Sequence, residues 1–560
     1  MGFDTIILTQ RNEALKQGNP LLSGTIAQTL ADESAECFSH DDYEFLKFHG
    51  IYQQDDRDKR KEGKHYMLMV RTKFPGGVLS GDQYLACDSL ATEYANNTLR
   101  ITTRQDFQFH GILKSNIRQT MRRLNDALMS TIAACGDVER NVMAPPTPAT
   151  SPLVDEVLAQ ARKLSNTLAP RTPAYHAIWL NGQELNLNSQ TNGDFVDPLY
   201  GKSYLPRKFK TAFVIPPLND IDIYTNDLGF VVIAENGRLI GYNLLAGGGL
   251  GMSHGNTLTF PRLADVIGFF TPEHLEAVAK AVITVHRDFG DRTNRKHARL
   301  KYVLADRGVD WFRDQVEQRA GIRLEPARPF QFTKQGDLLG WHKQTNGNYF
   351  LGLFVENGRI RDINGYKLKT GLRRVIEKFR PEVRLTASQN LLLVHVPPDQ
   401  QGEIERILSE HGVSARNPFS RTRMASMACP ALPTCGLALA ESERTMPDLL
   451  TRLEDVLKEL GLEDEEIIVR MTGCPNGCAR PYMGEIALVG KGPNRYQFYL
   501  GGNEASTRLN KVYKDMVKGE EIIPELRRLL ERFKRERLDG ERFGDFCVRV
   551  VLKETTDAQA

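Results

Sequence analysis

No stretch of this 560-residue chain approaches the roughly 18 consecutive apolar residues that a membrane-spanning helix needs. The opening segment, MGFDTIILTQRNEALKQG, has neither a basic start nor an apolar stretch of export-signal length. Ile6 stands where an N-myristoylation motif needs Ser or Thr. These absences predict a chain that stays in the cytoplasm, where cysteines remain reduced. There is no GxxxxGK[ST] loop, and GxGxxG is missed at its last position, where His254 follows Gly249 and Gly251. A redox enzyme built this way has no evident site for NADPH or flavin, so its electrons come from another protein. Charge of one sign is also missing: 73 Lys plus Arg against 70 Asp plus Glu leave only +3, too little for a chain that coats nucleic acid. With 41% hydrophobic and 26% charged residues, collagen-like, coiled-coil and largely disordered chains are excluded as well.

What is present is lopsided. Of eight cysteines, Cys37, Cys87, Cys135 and Cys547 are scattered and read as structural, whereas Cys429, Cys435, Cys474 and Cys478 fall in MACPALPTCG and TGCPNGCAR. Structural zinc prefers two to four residues between paired ligands, often with His among them. Here five and three residues separate the pairs and no His lies nearby. Ligands of a cubane must reach separate irons, so the spacing favours a [4Fe–4S] cluster on four thiolates, with zinc and buried free thiols as the rivals. Pro and Gly in these arcs let backbone amides turn toward the sulfurs.

Two pairs of echoing strings point to internal duplication. Leu99–Leu113 and Val383–Pro397 place Arg100/Thr102/Gln105 and Arg384/Thr386/Gln389 at equal offsets. GFVVIAENGRLIGYNLLAGG at Gly229 is echoed by GEIALVGKGPNRYQFYLGG at Gly484, each a strand–turn–strand pattern leading into glycines. The order is short, long, short, long, behind an arm of residues 1–68 that ends in the charged run Gln53–His65, read as a solvated surface segment. FLKFHGIY, just before that run, suits docking on the main body or on a partner. Helical patterns alternate with the strands in unequal blocks, which predicts an α+β fold; the clearest helix, near Pro524, sets Leu526, Leu529, Leu530 and Phe533 on one face.

An anion has several candidate cations. If Lys208-Phe209-Lys210 is extended, both ammonium groups share a face, an arrangement that makes sense around an anion, although an isolated KFK is more often a solvated edge. Arg71, Arg100, Arg104 and Arg140 add further charge, and the Gly-rich AGGGLGMSHGN at Ala246 reads equally as a phosphate or carboxylate cradle or as turns.

With CPALPTC and TGCPNGC at this separation, GTIAQTL and FHGIYQQDDRD in the arm, and FGDFCVR near the end, the chain resembles the siroheme-containing sulfite and nitrite reductases over nearly its whole length. The likeness is strongest to the hemoprotein (beta) subunits of the NADPH-dependent assimilatory type. It implies two ferredoxin-like halves (69–133 and 336–410) and two larger α/β units (134–335, binding siroheme and substrate, and 411–560, binding siroheme and the cluster). It implies that Cys429, Cys435, Cys474 and Cys478 ligate the cluster and that Cys478 also ligates the siroheme iron. Arg71, Arg140, Lys208 and Lys210 would surround sulfite, while Arg100, Arg104, His110, Arg207 and Asn476 would lie near siroheme or its carboxylates. The implied reaction is the six-electron reduction of sulfite to sulfide, fed by an NADPH-oxidising flavoprotein (alpha) subunit. A ferredoxin-dependent sulfite or nitrite reductase is the alternative, and the DDRD string leans toward the flavoprotein.

Overall fold

The computed structural model describes residues 10–148, 151–171, 178–180, 183–185 and 195–557; the first nine residues, with Gly2 and Ile6, lie outside it. Among the described residues no helix is long and apolar enough to cross a membrane.

The first short unit is a sheet of β1 (Ile51–Asp55), β2 (Tyr66–Arg71), β4 (Leu99–Ile101) and β5 (Phe107–Ile112), in the order β1-β2-β5-β4. Between β2 and β4 come the short β3 (Val78–Leu79) and α1 (Gly81–Tyr94), which Ser80 and Gln83 start with a capping box. The arm is part of this body: Phe45, Leu46, Phe48 and Ile51 of FLKFHGIY are buried, and β1 pairs with β2. The first long unit follows, with β6 (Thr211–Val214), β7 (Leu228–Glu235), β8 (Arg238–Ala246) and β9 (Asp265–Phe270). β6 is parallel to β7, and the rest is antiparallel.

The second short unit repeats the first: β10 (Gly340–Lys343), β11 (Tyr349–Leu353), β12 (Arg359–Ile360), β13 (Glu382–Leu385) and β14 (Leu391–Val396) stand for β1 to β5 in turn. The second long unit repeats the other, with β15 (Met427–Ala428), β16 (Val469–Thr472), β17 (Ile486–Gly492), β18 (Arg495–Leu500) and β19 (Lys511–Lys518); β15, β16 and β17 are parallel. The strand-like echoes Gly229–Gly248 and Gly484–Gly502 are the β7–β8 and β17–β18 hairpins. The final helix pattern is α2 (Gly519–Glu536), whose Leu526, Leu529, Leu530 and Phe533 are fully buried.

The two short units complete each other. β12 crosses to pair with β4 (Arg359 opposite Arg100), and β3 crosses to pair with β13 (Val78 opposite Arg384). Their apolar faces form one core in which Leu90, Leu99 and Phe107 meet Leu351, Leu372 and Leu391. Burial of this kind, at roughly 25 cal/mol per Å² of apolar surface, makes the pair a single folding body.

The repeated Arg and Gln explain how the long units attach. Gln105 Nε2 donates to the Ala144 carbonyl (2.9 Å) and Arg384 Nη1 to that of Pro146 (3.1 Å). In the other copy Arg100 Nη2 donates to the Ala428 carbonyl (2.7 Å), and Gln389 Nε2 reaches the same oxygen (3.4 Å). Each long unit's entry segment is thus gripped by the Arg of one short unit and the Gln of the other. The second of these grips lies one residue before Cys429.

Candidate functional site

The cysteine loops begin where strands stop. Cys429 follows β15, Cys474 follows β16, and the Cys429 N–H bonds the Met471 carbonyl (3.2 Å), so the parallel pairing that builds the sheet also brings the two CxnC arcs together. Cys429 and Cys474 are buried, Cys435 is half-buried and Cys478 is exposed. The loops carry amide donors aimed at sulfur. Gly473 N–H donates to Cys429 Sγ and Asn476 Nδ2 to Cys474 Sγ, both at 3.4 Å, and the N–H groups of Leu437 and Ala438 bond Cys435. Gly477, at φ +70°, makes the turn that returns the chain to Cys478.

Burial, reinforced by the other thiols of the set, pushes the Cys429 and Cys435 thiols upward and Cys474 up to about 12. Such buried thiols ionise together only against a positive counter-charge of the kind iron supplies. The four sulfurs lie within electrostatic reach of one another, with five and three residues in the two arcs and no His among them. The donor set fits a [4Fe–4S] cluster.

The cations gather on the side of Cys478. Phe209 is fully buried and bridges Glu139, which leaves Lys208 and Lys210 together on the other face, as an extended KFK requires. Neither lysine has an ion-pair or hydrogen-bond partner among the described residues. Burial, with Arg207, Arg299 and Arg140 nearby, brings Lys208 down to about 7. Burial, with Arg104 and Lys208 beside it, holds Lys210 well below the usual ammonium range. Burial also lowers Arg207, to about 10. A solvated edge strand would show none of this. The arrangement of Lys208, Lys210, Arg207 and Arg299 concentrates positive charge at one place.

Arg140 spends Nε and Nη2 on the Gly136 carbonyl (3.1 and 2.9 Å), which fixes its plane. Arg71 closes β2 opposite Gln108, whose amide oxygen accepts from its Nη2 (2.5 Å) and Nε (3.2 Å) when turned toward it. Cys478 is where both sets meet: Lys208, Arg71 and Arg100 all feel its sulfur.

The remaining predicted residues divide by task. Arg104 gives its Nη groups to the Thr211 carbonyl (2.6 Å) and Asn226 Oδ1 (2.8 Å), so it braces the end of the lysine segment and leaves Nε unpartnered. Arg100, 1% exposed, holds Ala428 and pairs with Glu443 at 3.2 Å. His110, 2% exposed, has no partner for either ring nitrogen among the described residues, and burial holds its pKa well below the ordinary imidazole value. Unmatched buried donors in Arg104 and His110, together with the unpaired lysines, fit a carboxylate-rich macrocycle seated between the cations and Cys478.

Other participants had no motif to announce them. Arg299 pairs with buried Asp227 (2.7 Å) beside the lysines. Lys301 donates to the Gly249 (3.1 Å) and Gly251 (2.8 Å) carbonyls. The glycine run is therefore shaped by close approach: a Cβ on Gly248 would lie 2.1 Å from the Tyr224 carbonyl, and one on Gly251 3.2 Å from that of Asn476. Cys135, read as structural, is buried beside Tyr52 and within electrostatic reach of Arg71, so it belongs to the wall of this site. The charged run is exposed from Asp58 to His65, as its composition predicts, with one exception just before that stretch. Arg57 is anchored rather than solvated, donating to the carbonyls of Cys435 (3.2 Å) and Ala438.

Comparison with known proteins agrees with this geometry. The family model described as "Nitrite and sulphite reductase 4Fe-4S domain" matches residues 159–324, within the first long unit. The "Nitrite/Sulfite reductase ferredoxin-like half domain" matches twice, at 59–127 and 342–411. Relatives named "Sulfite reductase [NADPH] hemoprotein beta-component" include one from Staphylococcus saprophyticus, 46% identical over 98% of this chain and 97% of its own. Another, from Geobacillus kaustophilus, is 47% identical over 97% of this chain and 96% of its own. The solved structure of the Mycobacterium tuberculosis NirA protein superposes with a TM-score of 0.80 at 25% identity, covering 97% of this chain and 96% of that one. Two duplicated ferredoxin-like halves, four converging thiols and an identity near one half along the whole length lead to one placement: the chain belongs to the nitrite and sulphite reductase family.

Proposed function

We propose that this protein is the hemoprotein subunit of an NADPH-dependent assimilatory sulfite reductase, reducing sulfite to sulfide with electrons from a partner flavoprotein. Cys429, Cys435, Cys474 and Cys478 would hold a [4Fe–4S] cluster. Arg100, Arg104, Arg207, His110 and Asn476 would line a siroheme, and Cys478 would join the two cofactors. The observation that carries the reading is the pair Lys208 and Lys210, half-buried with no ion pair among the described residues on the side where Cys478 opens. Siroheme and the cluster, when bound, would relay the six electrons drawn from the flavoprotein.

The chain's own groups bind the anion and handle protons. Arg71 and Arg140, held in fixed planes by Gln108 and Gly136, present guanidinium N–H groups to sulfite oxygens. The Lys208 and Lys210 ammonium groups pair with the same oxygens and deliver protons from Nζ as each S–O bond breaks and water leaves. Their lowered pKa values suit this task, because a proton is given up most readily when the group titrates near working pH.

Lys208 sets a pH dependence. With its pKa drawn down to about 7, the ammonium form that binds an anion is lost as pH rises; bound carboxylates move the midpoint upward. For sulfite, kcat/KM should therefore fall on an alkaline limb above pH 7, and Lys208→Arg, which stays charged, should displace that limb. An identical limb in the variant would remove Lys208 from the titration.

The reading as a whole is tested on purified protein by absorption spectrum, iron content and turnover with a reduced viologen dye. A coloured protein with iron and siroheme that favours sulfite over nitrite in kcat/KM is expected. A colourless zinc protein, or a clear preference for nitrite, overturns it.

A further inference from the structure

Arg57 reaches from the β1–β2 hairpin into the loop that carries Cys435. Its backbone N–H donates to the Pro433 carbonyl (3.2 Å), and its Nη1 donates to the carbonyls of Cys435 (3.2 Å) and Ala438. The side chain is half-buried and makes no ion pair among the described residues. The carboxylates of the hairpin are engaged elsewhere. Asp55 is bound twice by Arg60 (2.5 and 3.0 Å), Asp56 Oδ1 accepts from the Asp58 N–H (3.1 Å), and Glu62 faces His65. Asp58 pairs with Arg444 at 2.6 Å, which also holds Glu441. Arg57 thus brings a guanidinium charge to the cysteine loop without a carboxylate of its own.

The loop it grips is the one whose amides face the sulfur. The N–H groups of Leu437 and Ala438 bond Cys435. Leu439 and Ala440 then donate to the Gly473 carbonyl (2.7 and 3.1 Å), and the Gly473 N–H donates to Cys429 Sγ (3.4 Å). Gathering the Cys435 and Ala438 carbonyls on one nitrogen fixes the turn between them, and with it the direction of those amides. Arg57 therefore acts on Cys435 in two ways: its charge lies within electrostatic reach, and its grip orients N–H dipoles toward the sulfur. Both favour the reduced, more negative form of an iron–sulfur cluster, whose potential follows net charge and hydrogen bonds to sulfur.

We propose that Arg57 is a positioning residue for the cluster and holds its reduction potential up through the Cys435 loop. This rests on the reading that the four cysteines bind a [4Fe–4S] cluster. The cations of the anion site, Arg71, Arg100 and Lys208, act on Cys478, whereas Arg57 acts on Cys435. Each end of the set of thiolates thus has its own positive charge. The arm, 378 positions from Cys435, would thereby make the cluster a readier acceptor for an incoming electron.

The test is a potentiometric titration of the full-length holoenzyme, followed by electron paramagnetic resonance of the reduced cluster. In Arg57→Gln the reduced-to-oxidised ratio of the cluster at a fixed potential should fall about tenfold, a shift of about 59 mV for one electron. Arg57→Lys keeps the charge without the guanidinium geometry, so its midpoint should lie between those of Arg57→Gln and the wild type. If Arg57→Gln loads too little iron to titrate, Arg57→Lys carries the test, and a wild-type midpoint there overturns the role. Asp58→Asn loosens the same hairpin but removes a negative charge, so its midpoint should stay level or rise. Equal falls in Arg57→Gln and Asp58→Asn would assign the effect to loosening and overturn the proposal. A loaded Arg57→Gln cluster at the wild-type midpoint overturns this role alone, whereas iron-free wild-type protein overturns the cofactor reading.

Discussion

Cys478→Ser is expected to yield folded protein with reduced iron content, an altered absorption spectrum and sulfite turnover at background. The substitution removes little volume, and the loop does not depend on the sulfur for its shape, since the Cys478 carbonyl accepts from Thr103 Oγ1 at 3.0 Å and Gly477 sets the turn. What changes is acidity. A serine hydroxyl stays protonated where a metal-bound cysteine is a thiolate, so the fourth ligand is lost together with the sulfur that faces Arg71, Arg100 and Lys208. Both cofactor signals should suffer, whereas loss of Cys429 or Cys474 acts first on the cluster. Cys37→Ser, at a half-buried cysteine outside the loops, is the control and should keep iron, colour and turnover. Far-UV circular dichroism separates loss of cofactor from loss of fold. A Cys478→Ser protein with a normal coupled spectrum would refute the bridging role.

How much of this was legible in the chain depends on whether a contact is local. The CxnC arcs are, because five and three intervening residues already limit what four sulfurs can hold. The alternation in Lys208-Phe209-Lys210 is local as well, and the period-2 rule placed both lysines on one face. The repeated Arg100/Gln105 and Arg384/Gln389 were visible as a pattern, but their work was not: each grips a carbonyl in a different unit, Ala428 being 328 positions from Arg100. Arg57 shows the limit. Its run of alternating charges looks like solvated surface, and its anchoring to Cys435 spans 378 positions. Arg299 and Lys301 sit in a stretch with no motif, and they matter only because folding brings them to Asp227 and to the glycine carbonyls. Local chemistry was readable; pairing across units needs the fold.

Lys210→Ala should lower sulfite reduction by about 10²–10³-fold in kcat, the loss typical of one preorganised charge-stabilising donor, while cofactor absorption and thermal stability persist. The backbone at this position is fixed without the side chain: the Lys210 carbonyl accepts from Leu228 N–H (3.0 Å), and Arg104 holds the next carbonyl at 2.6 Å. The ammonium itself is half-buried next to Arg104 and Lys208, which it repels, with no ion pair among the described residues. Removing it relieves repulsion, so the melting temperature should stay level or rise, the opposite of what a structural lysine would show. What is lost is a cation that pairs with the bound anion and a proton poised to move. Lys210→Arg separates these two roles. Its guanidinium restores charge but scarcely gives up a proton, so KM for sulfite should recover while kcat remains depressed. Recovery of kcat in the Arg variant would assign Lys210 to binding alone, and unaltered turnover in Lys210→Ala would remove it from the reaction.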